Sequence, residues 1–227
     1  MVSKIVEKSL NQTFWNLLKD FSHQIHLARK LYHVLGGLLG IWFFYFLSIS
    51  SKNFGYLLFV CSLGLFFFES LRLKLKWINQ VFCYIARPIL REKERTKFSG
   101  MPYYFLGTSL SLIFFSPEIA TLSICYLIFA DPIASLVGVR WGKLKVKDSR
   151  TFEGSLAFFM TCFFINILFY ANGIFFLFGS WQNSFSAMVL SALWATLAES
   201  VSGGMVDDNF TIPVFSGLFL MLFSSLF

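Results

Sequence analysis

Hydrophobic residues in this chain fall into seven long runs that are separated by shorter polar segments. Each run is close to the roughly 20 residues that a helix needs to span a bilayer. The pattern predicts an all-α fold, a polytopic membrane helical bundle of about seven transmembrane helices, with six as the alternative number. The predicted spans are residues 34–50, 54–71, 101–116, 118–139, 155–171, 184–202 and 210–227.

Two polar segments carry apolar residues at helical spacing, which is typical of helices that lie on a membrane surface. Residues 1–28 form the first such segment. In residues 72–100, an apolar stripe that includes Trp77, Val81 and Ile85 runs between cations and is broken at Pro88. We therefore divide the chain into an amphipathic N-terminal segment, residues 1–28, and a transmembrane domain, residues 29–227, with both surface helices on the cytoplasmic side.

The charge distribution predicts the orientation of the bundle, because cytoplasmic loops carry an excess of Lys and Arg. Five of the 19 cations precede residue 31, eight lie from Arg72 to Lys97 and five from Arg140 to Arg150, so 18 fall on one side. That side, with the N-terminus, is predicted to be cytoplasmic. The net charge of +7 then describes a face for anionic lipid headgroups or a polyphosphate. No basic and aromatic nucleic-acid motif occurs, so no nucleic-acid partner is expected.

Two acidic residues lie inside apolar runs. Asp131 precedes Arg140 by nine residues and Glu199 precedes Asp207 by eight, which places both acids roughly 12–14 Å inside the cytoplasmic helix ends. A carboxylate there costs about 2.5–3.5 kcal/mol to insert and needs a partner, water or a ligand. Pro132 also frees a carbonyl one turn earlier. The acids predict a polar site, the alternative being that each one only bonds a neighbouring helix.

Oxygen-rich side chains gather again at the start of the last apolar run. Asp207, Asp208 and Asn209 precede Thr211 and Pro213, which resemble the cap and first turn of a helix. Such hard oxygen ligands suit Mg²⁺, which binds through one or two carboxylates together with substrate phosphates. The same three residues would also serve as an ordinary turn and cap.

A cationic loop connects the fourth and fifth runs. Gly138 and Gly142 allow close backbone approach, and Thr151 can cap a helix whose first amides point at the same space. The loop indicates either a phosphate site or a positive-inside topogenic segment. Its cations are Arg140, Lys143, Lys145, Lys147 and Arg150.

Three segments together resemble a known enzyme family. They read DPIASLVGVRWGK from Asp131, RTFEGS from Arg150 and AESVSGGMVDDNFTIP from Ala198, and looser matches include RKLYHVLGG from Arg29 and LREKE from Leu90. The chain resembles the family of dolichol kinases, phytol kinases and CTP-dependent diacylglycerol kinases, which is distantly similar to phosphatidate cytidylyltransferases. The likeness covers residues 29–217.

The resemblance implies a polytopic membrane enzyme that phosphorylates a lipid alcohol with a nucleoside triphosphate, commonly CTP, at the cytoplasmic face of the bilayer. Residues 29–227 would then be a transmembrane lipid-kinase domain. Its Mg²⁺ ligands or general base would come from Asp131, Glu199, Asp207 and Asp208, and Asp131, Glu199 and Asp208 are the predicted catalytic residues. The predicted nucleotide-binding residues are Gly138, Gly142, Lys143, Lys145, Arg150, Thr151, Glu153, Gly154 and Asn209, of which Glu153 and Asn209 would orient neighbours.

Two other functions stay open at this point. A cytidylyltransferase would use the same metal chemistry to make a CDP-lipid, but its closing motif of HGG, DR and D differs from SGGMVDDNF at Ser202 to Phe210. A transporter would also carry intramembrane acids, although it predicts acids spread across the bilayer. No Walker-type GxxxxGK[ST] loop occurs, so the chain has no mark of a P-loop ATP site. The lipid, the general base and the oligomeric state are not specified by the sequence.

Overall fold

The computed structural model describes residues 28–44, 46–87, 90–147, 150–173, 181–202 and 207–225. Most of these residues are helical, and α1 covers residues 28–44. The other helices and strands are α2 (Ser51–Lys74), α3 (Lys76–Ile85), a 3₁₀ turn (Glu92–Arg95), α4 (Met101–Phe114), α5 (Pro117–Cys125), a π turn (Tyr126–Ala130), α6 (Asp131–Trp141), β1 (Lys145–Lys147), β2 (Arg150–Thr151), α7 (Phe152–Ala171), α8 (Trp181–Val201) and α9 (Asp208–Ser224).

Polar caps fix where several helices begin. Ser50 and Ser116 accept hydrogen bonds from the first turns of α2 and α5, and Pro117 occupies the first position of α5, where its missing N–H costs nothing. Thr151 and Asp207 cap α7 and α9 in the same way. The two caps at the predicted site, Thr151 and Asp207, therefore satisfy backbone donors that a membrane helix cannot leave unpaired.

The centre of the bundle is the continuous helix formed by α5, the π turn and α6. Pro117–Trp141 is 61% buried over its most apolar window, against 22–39% for the other three long apolar helices. Helices α4, α7 and α9 pack around it, α2 packs on α4, and α8 packs between α7 and α9. Gly37 brings α1 close, because a Cβ there would lie 2.5 Å from Ile128 Cγ1 and 2.9 Å from the Tyr104 hydroxyl.

Each of the seven predicted spans coincides with a helical segment, so the all-α prediction is confirmed. Within the described ranges, four helices are long and apolar enough to cross a membrane, and Asp208–Ser224 is a shorter apolar helix. Seven crossings therefore stay a prediction. The surface-lying segment predicted for residues 1–28 falls almost wholly outside the described residues. The second one corresponds to α3, where Trp77, Val81 and Ile85 are exposed, and its place on the membrane surface stays a prediction.

The cationic loop contains a short β-ribbon. Lys145–Lys147 and Arg150–Thr151 pair as a short antiparallel ribbon in which Lys145 lies opposite Thr151 and Lys147 opposite Arg150. Valine and threonine favour such a pleated pairing, and the ribbon leads directly into the cap of α7. It therefore sets the position of Arg150 relative to the helix bundle.

Candidate active site

All four predicted acids carry a cation within 4 Å. Lys30 pairs with Asp131, Arg150 pairs with Glu199 and also reaches Asp208, and Arg91 reaches both Asp207 and Asp208. Asp131 also lies within electrostatic reach of Glu199 and of Arg91. The structure thus gathers residues from six segments into one charged cluster, formed by Lys30, Arg91, Asp131, Arg150, Glu199, Asp207 and Asp208.

The most enclosed pair of the cluster joins α1 to α6. Lys30 Nζ donates to Asp131 Oδ2 over 2.7 Å, and the two side chains are only 8% and 10% exposed. Lys30 stands at the start of an apolar helix, where a charge has to find a partner or reach water. Asp131 therefore has the partner that its burial requires.

A π-helical turn precedes Asp131 directly. In the i to i+5 register of such a turn, the Leu127 carbonyl would meet the nitrogen of Pro132, which carries no hydrogen. The His33 ring supplies the missing donor, with Nε2 lying 3.1 Å from the Leu127 oxygen, and it packs edge-on against Tyr104. Because His33 lies three residues after Lys30 on the same helix, one face of α1 holds both the turn and the acid.

We expect His33→Phe to lower the free energy of unfolding by about 1–3 kcal/mol, since it leaves a buried carbonyl without a donor. Adding Pro132→Ala should restore part of that loss, because alanine brings back a backbone N–H. Thermal unfolding of the purified variants in detergent measures both effects, with Pro132→Ala alone as the control. If His33→Phe lowers the free energy of unfolding equally in the wild type and in the Pro132→Ala variant, the ring does not replace the N–H that proline lacks.

Arg150 holds the end of α8 and its glutamate. Its Nε lies 2.8 Å from Glu199 Oε1, and Nη1 donates to the carbonyls of Ser200, at 2.9 Å, and of Ser202. Nη2 donates to the Ser202 hydroxyl over 2.6 Å. The last carbonyls of a helix lack intrahelical donors, so Arg150 caps α8 and fixes Glu199 at the same time.

Asp207 and Asp208 form the second acidic part of the cluster. Arg91 lies 3.8 Å from Asp207 Oδ2 and 3.9 Å from Asp208 Oδ2, and Arg150 Nη2 also lies 3.9 Å from Asp208 Oδ2. Burial together with the neighbouring Asp208 raises the pKa of Asp207 to about 7. The guanidinium nitrogens around both carboxylates thus lie at 3.8–3.9 Å, which is longer than a hydrogen bond.

This pair of carboxylates fits a magnesium ion in its donor chemistry. Among the described residues no three His, Cys, Asp or Glu side chains form a group that could hold a metal alone. Mg²⁺, however, is commonly held by one or two carboxylates with phosphate oxygens and water completing its shell. Asp207 and Asp208 repel each other and have their paired cations at 3.8–3.9 Å, so they meet that requirement. Asp131 and Glu199 instead each have a cation at 2.7–2.8 Å.

The other predicted residues lie around the cluster with different surroundings. A Cβ at Gly154 would lie 3.0 Å from the Ala134 carbonyl and 3.3 Å from Gly138 Cα, so these glycines let α6 and α7 touch. Thr151 Oγ1 accepts from the Gly154 N–H over 3.2 Å. Gly142 also packs against Thr151. Nucleotide contact by this group stays a prediction.

The remaining predicted residues divide between the rim and the interior. Lys143 and Lys145 are exposed, and within the part of the chain that the structure describes they make no ion pair with the acids. Glu153 accepts a hydrogen bond from the Leu144 N–H over 3.3 Å. Asn209 donates to the Gly100 carbonyl over 3.1 Å and so ties α9 to the start of α4. Glu153 and Asn209 thus bond neighbouring backbone, and their part in nucleotide binding stays a prediction.

Lys30 and Arg91 are the functional candidates that the sequence reasoning missed, because both counted as cytoplasmic cations within loosely matching segments and received no role in the site. Lys30 could have been found as a charge at the start of an apolar run. Arg91 gave no such signal beyond its place in the LREKE segment. Each pairs with acids about 100 residues or more away along the chain, and spacing carries no information at that distance.

Comparison with known proteins agrees with the resemblance. Over 220 residues the chain is 30% identical to CTP-dependent diacylglycerol kinase 1 of Saccharomyces cerevisiae, and the match covers 88% of this chain and 74% of that protein. This chain belongs to the family of CTP-dependent diacylglycerol kinases and phytol kinases. Members of this kinase family that are also similar include CTP-dependent diacylglycerol kinase 1 of Eremothecium gossypii, 28% identical over 88% of this chain and 68% of that protein.

The plant branch of the kinase family matches over a similar length. The chain is 26% identical to the chloroplastic phytol kinase 1 of Arabidopsis thaliana, over 89% of this chain and 68% of that protein. No model of a protein family matches the chain, and no solved structure matches it. Membership of the kinase family thus rests on whole-length similarity rather than on one motif.

Proposed function

We propose that this protein transfers the terminal phosphoryl group of CTP to the hydroxyl of a membrane lipid alcohol, such as a polyprenol, phytol or diacylglycerol. One observation carries the proposal. In a member of this kinase family, Arg91 and Arg150 converge on Asp208 from two different segments, each at 3.9 Å. The two guanidinium groups bring positive charge to the carboxylate pair that would hold Mg²⁺, which is the charge that the phosphates of a nucleotide require.

Phosphoryl transfer is catalysed mainly by positioning and by neutralising charge, with little covalent chemistry for the protein to perform. Asp207 and Asp208 would hold Mg²⁺, which neutralises charge on the phosphates when it is bound. Arg150, fixed by Glu199 and by the end of α8, keeps one positive charge at a constant position. Asp131 and Glu199 stay the candidates for accepting the hydroxyl proton.

The arrangement suits one substrate from the bilayer and one from the water. The charged cluster lies where α1, α6, α8 and α9 meet the loops, while the outer faces of α1, α2 and α7 carry exposed large apolar side chains such as Phe43, Phe67 and Phe164. A lipid alcohol would reach the cluster from the bilayer and CTP from the water. Cytidylyltransferase and transporter activity stay the alternatives to be tested.

An assay with labelled nucleotides identifies which reaction the protein catalyses. Purified protein in detergent with Mg²⁺ is given a panel of lipid alcohols and CTP or ATP labelled at the γ-phosphate. We expect label to appear in one lipid, with a higher kcat/KM for CTP than for ATP. Equal use of ATP would remove the CTP assignment, and no transfer to any lipid alcohol would contradict the kinase. Release of labelled pyrophosphate from CTP when a lipid phosphate such as phosphatidate replaces the alcohol would indicate CDP-lipid synthesis.

We also propose that the cluster and the N-terminus face the cytoplasm, that residues 29–227 form one kinase domain and that seven helices cross the membrane. The cationic excess of the loops next to the cluster supports this orientation. Helix α7 begins beside the cluster and its 20 residues are about 30 Å long. Its two ends should therefore lie at opposite faces of the bilayer.

Single cysteines in a cysteine-free background test the orientation. We expect Val146→Cys on β1 to be protected from a membrane-impermeant thiol reagent in intact cells, and Asn172→Cys at the far end of α7 to react. Both positions are exposed, so accessibility within the protein does not differ. Labelling after detergent lysis controls for reactivity, and labelling of Val146→Cys from outside would reverse the proposed orientation.

A further inference from the structure

The loop between α3 and α4 is held by a fully buried arginine. Arg72 is 0% exposed, and its Nη2 lies 2.7 Å from Glu69 Oε2. The same nitrogen donates to the carbonyls of Glu94, at 2.9 Å, and Lys97, at 2.8 Å. A buried charge without such partners would cost several kcal/mol, so the loop backbone and the arginine are tied to one arrangement.

The loop is held at two further points. Nη1 of Arg72 donates to Asn79 Oδ1 over 2.7 Å, and Asn79 Nδ2 donates to the Arg95 carbonyl over 3.0 Å. Glu69 in turn accepts from the Ser99 N–H over 2.9 Å and from its hydroxyl over 3.0 Å. The segment from residue 94 to residue 99 is therefore anchored to the end of α2 and, through Asn79, to α3.

Glu94 connects this anchored segment to Arg91. Its carboxylate accepts from the Arg91 N–H over 2.8 Å and pairs with the Arg29 guanidinium, the shortest N to O distance being 3.1 Å. Glu94 is only 3% exposed, so this contact is shielded from water. The backbone of Arg91 is thus fixed while its side chain extends to Asp207 and Asp208.

The two arginines of the cluster differ in how their donors are used. All three side-chain nitrogens of Arg150 lie 2.9 Å or less from an oxygen of Glu199, Ser200 or Ser202. Arg91 instead meets its two aspartates at 3.8 and 3.9 Å, and its side chain is 29% exposed. Guanidinium groups bind phosphate through two parallel N–H donors, which Arg91 can still offer.

We propose that Arg91 binds the phosphates of the nucleotide and that the buried Glu69 and Arg72 pair is the positioning device that holds it in place. This inference rests on the proposed function, because it names the residue that recognises a nucleoside triphosphate at the same site. Arg150 then has the separate task of holding Glu199 and the end of α8.

Arg95 provides a matched control on the same loop. It carries the same charge, four residues further along, but its side chain is 52% exposed and pairs with Glu92, whose side chain is 81% exposed. We expect Arg91→Gln to lower kcat/KM for CTP by about 100-fold or more with the KM for the lipid unchanged. Arg95→Gln should stay within about two-fold of the wild type, since exposed pairs contribute little.

A double variant tests whether Arg72 acts through Arg91. Arg72→Lys keeps the charge but loses the fork that reaches two carbonyls and a carboxylate, and it should raise the KM for CTP by about 10-fold. Arg72→Lys combined with Arg91→Gln should be no worse than Arg91→Gln alone, because residues that act as a unit are not additive. Losses that multiply would show that Arg72 has only a general structural role and would overturn the positioning part.

Equilibrium binding of labelled CTP separates this inference from the proposed function. Each purified variant is titrated with CTP in the presence of Mg²⁺ and without lipid. Weak binding by Arg91→Gln with normal binding by Arg95→Gln supports the inference even if no lipid is phosphorylated. Normal CTP binding by a folded Arg91→Gln protein overturns it while the kinase assignment stands, and absence of CTP binding by the wild type overturns both.

Discussion

Replacement of Asp208 by asparagine is expected to lower kcat for phosphoryl transfer by about 1000-fold or more, with the protein still folded and inserted. Asparagine keeps the size of the side chain but removes the negative charge on which Arg91 and Arg150 converge. Loss of one preorganised electrostatic group typically costs about 100- to 1000-fold in kcat. Loss of a metal-holding carboxylate would add to that, because the metal neutralises the phosphates in this reaction.

Asp131→Asn and Glu199→Gln should lower turnover by orders of magnitude as well. Each acid is paired with a cation, the buried Lys30 or the partly buried Arg150, and each is a candidate for the proton acceptor. Steady-state assays with CTP and the lipid found by the panel give kcat and KM for each variant. Near-normal turnover in two of the three variants would show that the site has been placed wrongly.

Glu118 supplies the control for these amide variants. It lies in the first turn of α5 and is exposed, 13 residues before Asp131 on the same continuous helix, which is about 20 Å away. Glu118→Gln removes the same charge from the same chain without approaching the cluster. Its turnover should equal that of the wild type, so that a loss in the other variants reports on the site and not on net charge.

The helices were predictable because hydrophobic length alone determines where a chain can cross a bilayer. The run at 118–139 became Pro117–Trp141, and the run at 155–171 became Phe152–Ala171. The importance of Asp131 and Glu199 was predictable for a related reason, because a carboxylate inside an apolar run costs free energy unless it has a partner, water or a ligand. Asp131, Glu199, Asp207 and Asp208 lie in one charged cluster. The depth predicted for Glu199 was wrong, because α8 ends at Val201, two residues after it, and the catalytic roles of the four acids stay predictions.

The partners of these acids could not be predicted in the same way. Lys30 and Asp131 are separated by 101 residues, and nothing in their local sequence specifies that α1 packs against the π turn. The turn itself depends on tertiary contacts of His33, so periodicity does not reveal it. The ribbon of β1 and β2 likewise comes from a segment whose charges suggested only a loop.

Lys30→Met is expected to cost about 3–5 kcal/mol of stability, because it leaves the Asp131 carboxylate buried without its partner. Replacement of both residues, Lys30→Met with Asp131→Leu, should recover most of that loss. Two apolar side chains of similar volume remove the cost of burying two charges, and such exchanges are often neutral or stabilising. Unfolding of the purified variants in detergent, followed by circular dichroism, measures the difference.

The double variant also separates the structural role of the pair from the catalytic one. If Asp131 acts on the substrate, the stable double variant should turn over at least about 1000-fold more slowly than the wild type, as expected for loss of a group that acts in the transition state. Stability and activity would then change in opposite directions between the single and the double variant. A double variant that is both stable and active would show that Lys30 and Asp131 only hold α1 against α6, and the proton acceptor would have to be Glu199.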